Sequence, residues 1–126
     1  MQITIGPLSY AVVEVEELAS ASGELYGDIN YERCRIRIRA ESDPQIKHVT
    51  LWHEVLHGIL RNAAIEDHDE QQIDALAHGI IQVLRDNPQL TAVVSTGKTP
   101  ALQHGDTRSN RVRGTRAVQS KASVAS

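Results

Sequence analysis

Residues Asp43–Asn62 read DPQIKHVTLWHEVLHGILRN, and the rest of the chain is placed by working outward from them. Asp43 followed by Pro44 marks a helix start. A carboxylate there can accept a free amide N–H of the first turn, and proline at the first helical position gives up an N–H that has no partner. Leu51, Val55, Leu56, Ile59 and Leu60 recur at helical spacing, so the helix is expected to run from Pro44 to Asn62. His53 and His57 then lie one turn apart on one face, where their imidazole nitrogens can share a metal ion. Glu54 projects about 100° round the helix from His53, beside such an ion rather than on it. That is where a general base stands next to a metal-activated water. With this many His and Glu, HExxH arises in about 2% of shuffled chains, so the motif needs support from elsewhere.

The support comes from the next segment. After an acidic connection, AAIEDHDE (Ala63–Glu70), the residues Ile73, Leu76, Ala77, Ile80, Ile81 and Leu84 predict a second helix. It should run from about Asp69 to Arg85 and end at Asn87-Pro88. A short connection implies antiparallel packing, which brings the start of the second helix near His57. Glu70, thirteen residues after His57, is therefore the expected third ligand of a zinc site that keeps one position open. Asp74 shares its face and is expected to accept a hydrogen bond from a ligand histidine, fixing that ring. Taken alone, the acidic pair also suits a solvated helix start that complements the helix dipole. Leu60 and Ala63 stand where the HExxHxxGxxH pattern needs glycine and histidine, so that pattern is excluded. His68, in the connection, and His78, two turns after Glu70, compete as third ligands; the order preferred is Glu70, Asp74, His78. His48 and His104 are read as incidental.

Upstream the chain is β-rich. YAVVEV (Tyr10–Val15) has strand composition, while Glu16–Ser22 is ambiguous and suits a short helical turn. Tyr26–Asn30 and Arg33–Ala40 read as a hairpin turning near Tyr31–Glu32. In its second strand Cys34, Ile36 and Ile38 alternate with Arg33, Arg35, Arg37 and Arg39, giving one apolar and one cationic face. The arginines suit a phosphate site or, preferably, an exposed strand guarded against edge-to-edge pairing. The fold class expected is α+β. A short antiparallel sheet packs on two main helices, the first carrying HExxH, in one domain over residues 1–94.

Composition sets the surroundings. A chain of 126 residues supports one modest core, and with no Phe, one Trp and three Tyr that core must be aliphatic. No run of 18 apolar residues occurs, so no membrane span is expected. The first residues lack a basic region followed by an apolar block, so no signal peptide is expected. Cys34 has no second cysteine to pair with, which fits a reducing compartment; a cytoplasmic location is expected. The net charge of −3 conceals an acidic domain and a basic tail. Over residues 95–126 Lys98, Arg108, Arg111, Arg113, Arg116 and Lys121 oppose Asp106 alone. This tail has no apolar periodicity and reads as disordered. Its charge would serve contact with nucleic acid or an acidic partner, but it offers no aromatic ring for stacking. A solvated extension is the preferred reading.

The block TLWHEVLHGILRN, followed by DEQQIDALAHGIIQVLRDNP, resembles the small zinc metallopeptidases of the ImmA/IrrE type, particularly their compact phage and prophage versions. The resemblance reaches back to the GDINYERCRIRI hairpin and covers roughly Tyr26–Leu90. In that family a glutamate on the helix after HExxH completes a gluzincin-like site, ahead of an Ala-rich turn that Ala75–His78 matches. The resemblance implies a zincin-like domain holding one zinc, with His53, His57 and Glu70 as ligands. It implies peptide-bond hydrolysis with Glu54 as general base, often of a repressor-like regulatory protein, in the bacterial host cytoplasm. It also implies an edge strand lining the cleft. Assigned to Cys34–Arg39, that strand would offer Cys34, Ile36 and Ile38 to a substrate peptide added as a further strand. Tyr31, His78 and Arg61 are the candidates for steadying the oxyanion. The alternative is a zinc-binding domain of the same fold that recruits or regulates a partner without cutting it.

Overall fold

β1 (Gln2–Ile5) and β2 (Leu8–Val15) form an antiparallel hairpin through Gly6, whose φ of 56° is a conformation that strains an L side chain. The segment after Val15 leads into β3 (Ala19–Ser20), not a helical turn; β3 pairs with β4 (Gly23–Glu24) as a small separate ribbon. β5 (Gly27–Asn30) and β6 (Arg35–Arg39) make a second hairpin. The computed structural model from which these elements are taken describes residues 1–20, 23–98 and 101–103.

The four-stranded sheet has the order β1-β2-β6-β5, and its central pair, β2 with β6, is parallel. The expected antiparallel sheet is thus corrected to a mixed one: two local hairpins are joined side by side through strands that run the same way. Ile36 of β6 sits in register with Val12 on one side and Ile29 on the other. It is fully buried, with Ile5, Tyr10 and Ile38 beside it and Leu51 and Val55 packed against the cluster. Burial of such a side chain contributes about 2–3 kcal/mol. Because β6 is internal, its arginines guard no edge. Arg37 instead donates from Nε to Asp28 Oδ1 at 2.9 Å, across the β5–β6 register pair.

α1 (Pro44–Asn62) begins as expected, with Asp43 accepting from the Gln45 amide at 2.8 Å. Its buried stripe is Thr50, Glu54 and Gly58, at every fourth residue. Two glycines allow the approach. A Cβ at Gly58 would lie 2.8 Å from Ile5 Cδ1; one at Gly27 would lie 2.9 Å from the Arg37 carbonyl oxygen and inside contact distance of Thr50 Cγ2. α1 closes with Ala64 at φ 60°, the Ile65 amide donating to the Leu60 carbonyl at 2.9 Å. α2 (Glu70–Asp86) is capped by Asp69, which accepts from the Gln71 amide at 2.7 Å, and buries Ile73 and Ala77. Leu76, on the expected apolar face, is 54% exposed.

The unit that carries these elements spans Met1–Pro88; a second unit starts at Gln89. α3 (Pro88–Thr96) runs through the expected boundary at residue 94, with the amide of Gly97 donating to the Val93 carbonyl at 3.0 Å. Pro88, read as a stop, also opens a helix, as proline at a first helical position does. The expected tail, apart from α3's end and short stretches to residue 103, lies outside the described residues, as does His104. Among the described residues no helix is long and apolar enough to cross a membrane.

The two kinds of glycine should separate on substitution. Gly27→Ala is expected to lose about 1–3 kcal/mol, because a backbone carbonyl cannot yield to the new methyl group. Gly79→Ala, facing open space on α2, is expected to gain about 0.5–1 kcal/mol. Urea denaturation of both variants checks the pair.

Candidate metal centre

α2 runs back along α1, so that Glu70 meets His57 and His53 while Asp74, one turn on, meets His53. His53 Nε2 lies 2.9 Å from Glu70 Oε2 and 3.1 Å from His57 Nε2. His57 Nε2 lies 3.1 Å from Glu70 Oε1. The donor atoms of His53, His57 and Glu70 all fall within 4.8 Å of one another, a triad able to hold a metal ion. Each histidine has a second partner on its other ring nitrogen. His53 Nδ1 is 3.4 Å from Asp74 Oδ1, and His57 Nδ1 is 2.9 Å from His68 Nε2. His68 therefore stands behind His57 and does not join the triad. His78 turns to its own helix, with Nδ1 2.9 Å from the Asp74 carbonyl oxygen, and does not line the cleft. His48 is exposed.

Glu54 is 6% exposed, on the stripe of α1 that faces the sheet. Burial, reinforced by Glu70 and Asp28 and opposed by His53, pushes its carboxyl up to about 7. Burial pushes the His57 imidazole down, against the pull of Glu70. Burial works against the Glu70 charge, yet His57 and His53 together hold its carboxyl below the usual range. The cluster thus presents a carboxylate and a neutral imidazole, the protonation states that ligate metals.

The triad and Glu54 line a cleft of about 530 Å³. The opposite wall is formed by β5 and the residues before it, including Tyr26, Gly27 and Asp28. This corrects the expected substrate strand. Ile36 and Ile38 are 0% and 5% exposed within the core, and Cys34 lies in the turn before β6, with its thiol on the Tyr31 carbonyl. The edge strand at the cleft is β5, because β6 is covered by β2 on its other side. The parallel β2–β6 pairing that decides this joins segments far apart in sequence and leaves no local pattern. Tyr31 also lines the cleft. The guanidinium carbon of Arg61 sits 4.1 Å from the centre of its ring, so Arg61 packs on Tyr31 without lining the cleft itself. Burial, opposed by Arg61, pushes the Tyr31 hydroxyl up, so that it stays a proton donor at neutral pH. No family model, no curated protein and no solved structure matches this chain.

The state of Glu54 has a consequence for metal-free protein. Its folded value of about 7 exceeds the ordinary 4.5, so its contribution to stability is full below about 4.5 and is lost as pH rises through about 7. Glu54→Gln carries no such proton. Between pH 5 and pH 8 the stability difference should shift in favour of the variant by on the order of 2 kcal/mol. Urea denaturation with a chelator present measures it, and parallel pH profiles would count against a buried carboxyl.

Proposed function

We propose that this chain is a zinc-dependent metallopeptidase. The observation that carries the reading is a buried carboxyl, Glu54, on the wall of a cleft that also holds the convergent His53–His57–Glu70 triad. Two imidazole nitrogens and one carboxylate oxygen, with no fourth side chain in the set among the described residues, suit zinc in a catalytic setting. Bound zinc supplies Lewis acidity that polarises a scissile carbonyl and acidifies water in the cleft.

The residues of the chain do the rest. His53, His57 and Glu70 would hold the ion, and Asp74 orients the His53 ring through Nδ1. The Glu54 carboxylate takes the proton of the attacking water and delivers it to the departing amide nitrogen. Tyr31, a protonated hydroxyl in the same cleft, is the candidate donor to the tetrahedral oxyanion. β5, an edge strand on the facing wall, offers backbone groups to an extended peptide. The resemblance to ImmA/IrrE-type peptidases points to a regulatory protein as substrate, in the cytoplasm.

Elemental analysis tests the metal and a quenched-fluorescence peptide library tests the chemistry. Purified wild type should hold about one zinc per chain, and Glu70→Ala clearly less. Glu54→Gln should keep the zinc while hydrolysis falls by about 10²–10⁴-fold. Folded wild type that takes up no zinc when offered it sinks the proposal. Zinc uptake without cleavage of any library member favours the partner-binding domain instead.

A further inference from the structure

We infer that His68 is a positioning residue for His57: it holds that ring through Nδ1 so that Nε2 faces the metal. The inference rests on the metal reading above. His68 Nε2 lies 2.9 Å from His57 Nδ1, the ring centres 4.9 Å apart and the planes inclined by 50°. A histidine that ligates through Nε2 carries its remaining proton on Nδ1 and needs an acceptor there, ordinarily a carboxylate or a backbone carbonyl. His57 has an imidazole in that place. To accept, His68 must be neutral and keep its own proton on Nδ1. In the opposite tautomer His68 would donate to His57 Nδ1 and leave the His57 proton on Nε2, where the metal must bind. Among the described residues nothing meets His68 Nδ1, which is buried. The loop therefore leaves one polar atom of His68 unsatisfied while its other nitrogen meets His57.

The loop has anchors other than the ring. On one side the Ile65 and Ala64 amides donate to the Leu60 and Arg61 carbonyls at 2.9 and 3.0 Å. On the other, Asp69 caps α2 immediately after His68. Only Glu66, Asp67 and His68 lie between these two anchors. An imidazole in place of a carboxylate also fits the local charge. Glu70 and Asp74 already bring two carboxylates to the triad, and His53 takes the second as its partner. A third behind His57 would add negative charge to the same few ångströms.

The test uses the full chain with zinc alone, titrated against a chromophoric chelator. His68→Leu should weaken zinc binding by about 10–100-fold. Its thermal midpoint without metal should shift little, since the change removes a buried unsatisfied nitrogen along with the partner of His57 Nδ1. His68→Gln, whose amide oxygen reaches about as far as Nε2, should recover most of the affinity. Equal affinity in His68→Leu and wild type overturns the inference, and so does a glutamine variant as weak as the leucine one. If leucine lowers the midpoint, nitrogen-15 spectra of zinc-loaded wild type decide: a hydrogen-bonded proton on His57 Nδ1 is expected, and its absence overturns the inference. Wild type that binds no zinc removes the metal reading as well. Wild type that binds, with leucine binding equally, removes only the role of His68.

Discussion

The close approach of α1 to the sheet is the constraint on which the rest of the structure depends. It exists because residues 27 and 58 have no side chains where the helix and the strands meet. A side chain at residue 58 would press on the movable ends of Ile5 and Ile29, whereas one at residue 27 would meet the Arg37 carbonyl and Thr50 of the helix. Were β5 and the helix forced apart there, Glu54 would gain water. The stripe that fills this contact, Thr50–Glu54–Gly58, is a poor hydrophobic surface. Stability must come from elsewhere, and it does: Ile36, Ile38, Ile5 and Tyr10 close the core, with Leu51 and Val55 as the apolar contribution of α1.

Placing a carboxyl at such a contact runs against ordinary packing preference. An isolated buried carboxylate is too costly to keep, so the group shifts its protonation instead. Glu70 shows the opposite response on the same site, because two imidazoles lie against it. Carboxyl groups a few residues apart in space are thus driven in opposite directions, one toward the neutral form and one toward the charged form. Divergence of this kind is common where groups have different chemical tasks.

Much of this was legible in the sequence, for reasons that are local. Asp43-Pro44 and the apolar spacing located α1; the alternation of Ile36 and Ile38 located β6 and its buried face. The i, i+4 relation brought His53 to His57 and Glu70 to Asp74, and a short connection between helices set their antiparallel course. What stayed hidden depended on distant partners. β1 is only four residues long; its β-branched Ile3, Thr4 and Ile5 suit a strand, but so short a stretch carries no sign of its partner. The parallel contact of β2 with β6 turned an expected edge strand into a central one and passed the cleft wall to β5. Burial of Glu54 also escaped, because helical spacing gives a direction and says nothing of what stands there. His68 reads from the sequence as a rival ligand; its place behind His57 follows from the path of the loop, which begins with an alanine in a conformation better suited to glycine.

The parallel pairing has one more consequence, for the order in which the molecule comes together. His53, His57 and Glu70 all belong to a single helical hairpin, whose contacts are close in sequence. The cleft and the burial of Glu54 require the sheet, and the sheet is complete only when β6 docks beside β2 across the whole intervening segment. Contacts close in sequence cost less chain entropy to form than those that must close a longer loop. In a growing or refolding chain the triad can therefore come together before Glu54 is enclosed.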